Sequence, residues 1–325
     1  MLSRQGSGSD LVCAKARFGH GLLGVGMGLG NRLFPWARYR IFMHMNHAVG
    51  IAPVWVRPAI SQLWRGGTNF SAYLRQIVLF GLFKRSADEL GVVRGNLRTL
   101  FMPRLAEPAD FDQAMEGHIR GTVIFEGWQD SFARLNGWNR FLLDELRGIT
   151  RKEGIELADS IREVPIGICV RCGNDFREPD LGAASLGGGE KTPIRWFVRC
   201  LSLIRQQVGA DVPAYVVSDG TAKQLQDLLR MPNVAFVRPG SAISDLLVLA
   251  KARVLLVSGA SSFAAWGSFL GEMPTISHLG QPLSLWEIKS CAGQYVGEFD
   301  PDRPSEEFIT QAVSRLTQPS SDGRT

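Results

Sequence analysis

Short apolar runs alternate with longer stretches of helical spacing. "HGLLGVGM" (20–27) reads as a buried strand. "NRLFPWARYRIFMHMNHA" (31–48) follows it with apolar residues at Leu33, Phe34, Trp36, Ala37, Ile41, Met45 and Ala48, the spacing of a helix. "GIAPVWVRP" (50–58) reads as a second strand, ended by Pro58. Residues 60–118 are poorly patterned and read as a mixed insert. "GTVIFEGW" (121–128) is a further strand. "DSFARLNGWNRFLLDELRGI" (130–149) is a helix with Asp130 or Ser131 as its cap. The charged stretch 148–163 reads as a linker.

A second series then begins. The strands are "VPIGICV", "VPAYVVSDG", "NVAFVRP", "RVLLVSG" and "MPTISHL". The helices between them are "IRWFVRCLSLIRQQVG", "TAKQLQDLLRMP", "AISDLLVLAKA" and "ASSFAAWGSFLG". Apolar strands alternating with helices predict α/β architecture with parallel sheets covered on both faces. Two such series predict two Rossmann-like domains facing across a cleft. The expected division is a loose segment 1–18, a first domain 19–155, a second domain 156–315 and a loose tail 316–325. Ligands of open parallel sheets bind beyond the carboxyl ends of the strands, so the residues just after each apolar run are the ones to inspect.

Composition narrows this only slightly. At 325 residues, 45% hydrophobic and 21% charged, the chain is globular and long enough for two cores. The net charge of +5 suits a polyanionic ligand or an acidic membrane surface, and no basic stripe dense enough for nucleic acid occurs. Five cysteines at irregular spacing do not describe a disulfide framework. Cys169 and Cys172 form a C-x-x-C, but no second pair completes a zinc set, and the pair follows a strand where a redox pair opens a helix. No signal-peptide pattern and no uncharged run of spanning length is found, so a cytoplasmic protein is expected. "YLRQIVLFGLFKR" (73–85) fits either a membrane-surface helix or a core helix with snorkelling ends.

Several motifs fail on spacing. The glycines 24, 26, 28 and 30 give G-x-G-x-G-x-G rather than G-x-G-x-x-G, and no acidic residue ends the second strand, which disfavours NAD. "GGGEKT" (187–192) has Glu190 where a phosphate-binding loop needs glycine. "SGASSF" lacks the closing glycine of a nucleophile elbow. The pairs Asp110/Asp112 and Asp300/Asp302 read as turn carboxylates.

Three strand ends in the second series carry chemistry together. Arg171 follows "IGICV", with Asp175 close by, and a guanidinium there can clamp a pyrophosphate. Asp219 follows "AYVVS". Ser261 and Ser262 follow "VLLVS" at the start of a helix, a natural anion site. A cation, a carboxylate and a phosphate cradle at successive strand ends predict a nucleoside-diphosphate site.

The chain here resembles the α-1,2-fucosyltransferases, glycosyltransferase family 11. "GLGNRLF", "EGWQDSF", "ICVRCGNDF", "AYVVSDG" and "ISDLLVLAKARVLLVSGASSFAAWGSFLG" are similar to that family's segments, in the family order. The resemblance implies a GT-B fold, GDP-fucose as donor, inversion at the sugar, and no cofactor or essential metal. By position it implies that Arg171 meets the pyrophosphate. It implies further that Ser261, Ser262 and Phe263 lie at the phosphates, that Asp245 reads guanine, and that Asp219 lines the nucleotide pocket. Gly28, Gly30 and Asn31 would face the donor from the first domain. The acceptor it implies is a surface-polysaccharide or lipid-linked glycan, reached by peripheral contact at the inner face of the membrane. The chain departs from the pattern at Cys169, Cys172, Asn174 and Arg32, where the family has His, a second Arg, no residue and Gln.

The catalytic group implied is Arg171, stabilising the departing GDP. Glu126, Asp130 and Asp175 stand near strand ends as candidate bases for the acceptor hydroxyl. Two other readings follow from the departures: a GT-B transferase using another nucleotide sugar, and a catalytically weakened nucleotide- or glycan-binding relative. A redox protein built on Cys169 and Cys172 is the third.

Overall fold

The computed structural model describes residues 12–18, 28–55, 83–111, 120–173, 176–177, 189–237, 241–283, 288 and 294–318. The chain divides into two compact units at Arg151/Lys152.

The first unit holds a five-stranded sheet, in the order β3-β2-β1-β5-β4. Its strands are β1 (Val12–Arg17), β2 (Val49–Ile51), β3 (Glu89–Leu90), β4 (Arg104–Leu105) and β5 (Gly121–Glu126), and every pairing is parallel. The first described strand, β1, precedes the one expected at 20–27. Residues 20–27 lie outside the described residues, and the central strand is "VCAKAR", inside the segment read as loose. Cys13, Ala14 and Ala16 are buried in it, while Lys15 and Arg17 reach polar partners at Asn96 and Glu126. A strand whose outward residues are cations looks broken by charge in sequence and is not.

The helix Leu29–Asn46 follows and is buried nearly all round. Its apolar stripe (Leu33, Phe34, Trp36, Ala37, Ile41) packs as predicted, but Met45 is exposed and three arginines are buried. Arg32 donates to the Trp55 carbonyl at 2.6 Å and lies over the Phe18 ring. Arg38 bonds Glu107 at 2.7 Å, and Arg40 pairs with Asp88, Glu89 and Glu145. Buried guanidinium groups persist only with such partners.

The stretch read as an insert contains β3, the helix Val92–Thr99 and β4. Asp130 and Ser131 do not cap a helix. Both take left-handed conformations, φ 54° and 36°, in a turn that leads to a short 3-10 segment, and the helix begins only at Asn139. The segment read as a linker carries the helix Lys152–Asp159. It is fastened to the second unit through Ser244 Oγ, which donates to the Gly154 carbonyl, and Lys251 Nζ, which bonds Ala158 and Asp159.

The second unit is built on a six-stranded sheet in the order β10-β9-β6-β11-β12-β13. These strands are β6 (Val164–Val170), β9 (Ala214–Ser218), β10 (Val234–Phe236), β11 (Ala252–Val257), β12 (Thr275–His278) and β13 (Val296–Phe299), all parallel. A small pair, β7 (Phe176–Arg177) and β8 (Gly189–Glu190), stands apart. Helices Ile194–Val208, Ala242–Leu249, Ser262–Gly271 and Glu306–Thr317 cover the sheet. On one face Ile166, Ile168 and Val170 meet Trp196, Phe197, Leu201 and Phe308. The helix expected over 221–232 is mostly turn, its four helical residues being Gln226–Leu229. Of the tail expected from 316, Leu316 and Thr317 belong to the last helix.

Candidate functional site

β6 lies at the centre of the second sheet, with β9 on one side and β11 on the other. The register aligns Cys169 with Val217 and Val257, so the three carboxyl ends finish level with one another. Each strand stops where its apolar run stops. The next residues, Arg171, Asp219 and Ser258, therefore meet at one edge.

Their contacts are specific. The Arg171 guanidinium lies 3.1 Å from the Asp219 carboxylate. The other oxygen of Asp219 accepts the Cys172 backbone N–H at 2.7 Å. Arg171's own backbone N–H donates to Ser258 Oγ at 3.1 Å, and the Ser258 N–H donates to the Cys169 carbonyl at 2.9 Å. The guanidinium also lies 5.1 Å over the Phe176 ring. About a quarter of each partner's side chain stays exposed (23% for Arg171, 30% for Asp219), so the pair is oriented yet open to an anionic ligand. Ser258 is fully buried, and sequence reasoning overlooks it. Its signal is position: it is the first polar residue after the β11 run.

Beyond Ser258 the chain makes a tight turn. Ala260 has φ 53°, and Ser261 caps the helix Ser262–Gly271 by accepting the Ala264 N–H. Ser261 is thus buried and committed to its helix, while Ser262 and Phe263 form the first turn and are partly exposed. A Cβ on Gly259 would come within 1.8 Å of the Gln281 carbonyl oxygen, so no larger residue fits there. Gln281 is fixed in turn by Thr192 Oγ1 and by the Glu190 carbonyl. The "GGGEKT" motif therefore buttresses this turn.

Asp245 sits one turn into the helix Ala242–Leu249, whose cap is Ser241. Its Oδ1 is buried with no hydrogen-bond partner among the described residues, and burial pushes the carboxyl up to about 7. The Cys169 thiol senses Arg171, Asp219 and Asp245 together, which sets Asp245 within electrostatic reach of the same strand end. Burial drives Cys169 up to about 12 and also raises Cys172. Redox cysteines need the opposite shift, and both thiols are free. The redox reading therefore finds no support in this pair.

Gly28, Gly30 and Asn31 stand at the start of the first unit's long helix, beyond the carboxyl end of β1. Gly28 is the cap residue, with φ −63° and ψ 167°, and an added Cβ there would touch nothing among the described residues. Asn31 Oδ1 is buried with no hydrogen-bond partner among the described residues. Arg32 is buried, with its guanidinium on the Trp55 carbonyl. Glu126 ends β5, exposed and paired with Arg17 at 3.3 Å. Arg38 holds the following turn through the Glu126 and Gly127 carbonyls, so the backbone carrying Glu126 and Asp130 is fixed. At the ends of β2 and β3 a cavity of about 350 Å³ is lined by the stacked rings of Trp55 and Phe83, with Lys84, Arg85, Glu89 and Arg151. Asp175 lies outside the described residues, as does most of the 73–85 segment. Among the described residues no set of three metal-ligating side chains gathers, and no helix is long and apolar enough to cross a membrane.

No family model and no curated protein matches the chain. Among solved structures it is similar to NodZ alpha-1,6-fucosyltransferase soaked with GDP-fucose (15% identity, TM-score 0.49), over 84% of this chain and 97% of that one. Fucosyltransferase NodZ from Bradyrhizobium gives 16% identity and TM-score 0.48, over 83% and 96%. POFUT1 in complex with GDP-fucose gives 10% and 0.45, over 83% and 98%. These likenesses are remote, and the α/β architecture stands on the chain's own two parallel sheets.

Proposed function

We propose that the chain is a glycosyltransferase that takes fucose from GDP-fucose and passes it, with inversion, to a hydroxyl of a glycan acceptor. One observation carries the reading: at three adjacent strand ends Arg171, Asp219 and Ser258 form one bonded cluster beside a capped helix start, and Asp245 Oδ1 is buried with no hydrogen-bond partner among the described residues. A buried acceptor without a donor is costly. The N1–H and amino group of guanine are two donors that would satisfy it. The ordered motifs in the sequence supply the sugar.

In this reading the diphosphate lies against Arg171 and the first turn of the helix at Ser262 and Phe263. Positive charge there favours the leaving nucleotide as negative charge builds on it, and an oriented donor does so without reorganisation. Asp219 acts on Arg171, holding its guanidinium in place. The acceptor belongs to the first unit, where the cavity lined by Trp55, Phe83, Lys84, Arg85, Glu89 and Arg151 offers the apolar and polar groups that a sugar needs. Glu126 and Asp130, on the turn braced by Arg38, and Asp175 are the candidate bases. No metal enters the proposal.

The test is release of GDP from GDP-fucose in the presence of mixed oligosaccharide acceptors, with and without a chelator, followed by linkage analysis of the product. Acceptor-dependent release that survives chelation is expected. Absence of turnover with every acceptor would count against catalysis.

A further inference from the structure

An amphipathic helix on a globular protein ordinarily turns its apolar stripe inward. The helix Val92–Thr99 does the reverse. Its buried contact is Gly95, set so close to the sheet that a Cβ would come within 2.6 Å of the Ile51 side chain. Its outward face carries Val93, Leu97, Leu100 and Phe101, spaced i, i+4, i+7 and i+8, and these are 74%, 67%, 65% and 93% exposed. Leu100 keeps helical backbone angles, so the four side chains form one stripe. Single exposed apolar residues are ordinary, but a contiguous stripe of large ones marks a contact surface.

Charge identifies the contact. Arg94 and Arg98 flank the stripe on one side, and Arg104 follows just beyond it. All three are exposed and make no ion pair among the described residues. Between Leu90 and Ala106 there is no Asp or Glu. On the other flank Asn96 is held by Lys15 Nζ at 2.6 Å, which adds another cation. Apolar residues facing straight out, edged by cations alone, match a surface that is apolar inside and anionic at its boundary.

We propose that this helix, with Leu100 and Phe101, docks the first unit flat on an anionic lipid bilayer. The four apolar side chains enter the acyl boundary while Arg94, Arg98 and Arg104 lie at the headgroups. The inference stands independently of the donor and acceptor assigned above.

The experiment is co-sedimentation of the full chain with phosphatidylcholine vesicles, with and without phosphatidylglycerol, alongside size-exclusion chromatography without lipid. Binding to the anionic vesicles is expected. It should weaken roughly tenfold or more in Leu97→Ser/Phe101→Ser and in Arg94→Gln/Arg98→Gln, and also fall with added salt. These side chains are exposed, so circular dichroism and melting should stay those of the parent chain. Equal binding to neutral vesicles, or none to either kind, would overturn the proposal. So would a lipid-free dimer that Leu97→Ser/Phe101→Ser converts to monomer, since the stripe would then belong to a second copy.

Discussion

Arg171 and Asp219 stand at the ends of neighbouring parallel strands with 3.1 Å between guanidinium and carboxylate, and Asp219 also binds the backbone of Cys172. The pair is partly exposed, so it contributes on the order of 0–1 kcal/mol to stability. Replacing Arg171 with Ala should leave the melting temperature nearly unchanged and lower transfer by about two to three orders of magnitude. Asp219→Asn keeps an acceptor for the Cys172 N–H but loses the charge, and should lower kcat more than it raises KM for the donor. Circular dichroism and initial-rate kinetics on the two variants check this. A collapse of the fold in Arg171→Ala, or normal kcat in either, would contradict the assignment.

Asp245 supplies a pH dependence whose sign can be worked out. Its carboxyl is raised by burial to about 7 in the folded chain, from an ordinary value of 3.8. The native state therefore binds more protons than the unfolded state between these values, and stability falls as pH rises through that window, by up to about 4 kcal/mol. Asp245→Asn should accordingly melt higher than the parent at pH 8 and no differently at pH 4. Nucleotide binding has the opposite slope, because guanine donates to the ionised carboxylate. GDP affinity should climb from pH 6 to pH 8 and be lost in Asp245→Asn. Melting curves and calorimetric titrations at these pH values read both slopes.

Two glycines separate a ligand role from a structural one. At Gly259 a methyl group meets the backbone of Gln281, so Gly259→Ala should destabilise the chain by about 1–3 kcal/mol and disturb the turn that leads to Ser261. At Gly28 a methyl group meets nothing among the described residues, and the backbone angles suit any residue. Gly28→Ala should therefore leave stability unchanged, so that any rise in donor KM reports a ligand role. Denaturant melts paired with donor KM distinguish the two.

The cysteines make a negative prediction. With Cys169 pushed up to about 12 and Cys172 also raised, neither is thiolate at neutral pH. Iodoacetamide at pH 7 should leave Cys169 unmodified, and dithiothreitol should not alter turnover. Mass spectrometry and a rate assay check both points.

The second unit was largely legible in sequence because β6, β9 and β11 are continuous apolar runs that end at a polar residue, and buried parallel strands announce themselves that way. Arg171 and Asp219 are legible as the residues just past those runs, whereas Asp245 rests on the family resemblance alone. Ser258 is less legible: its one signal is its position just past the β11 run, and its role shows only in the bond from its neighbour's N–H. The first unit was harder to read. Lys15 and Arg17 disguised β1 as a broken run, and Arg32, Arg38 and Arg40 blurred the helix period. Their partners, Trp55, Glu107, Asp88, Glu89 and Glu145, are remote in sequence, so their burial is tertiary information. Asp130 and Ser131 looked like caps by residue type, but the backbone that Arg38 fixes there holds them at positive φ.

The central claim is that the strand-end cluster of the second unit holds a guanine nucleotide diphosphate. Calorimetric titration of the chain with GDP, UDP and CDP, repeated on Asp245→Ala, tests it most directly. GDP should bind at least roughly tenfold more tightly than UDP or CDP, and Asp245→Ala should erase that preference without unfolding the chain. Equal affinity for all three nucleotides, or no binding of any, would contradict the account.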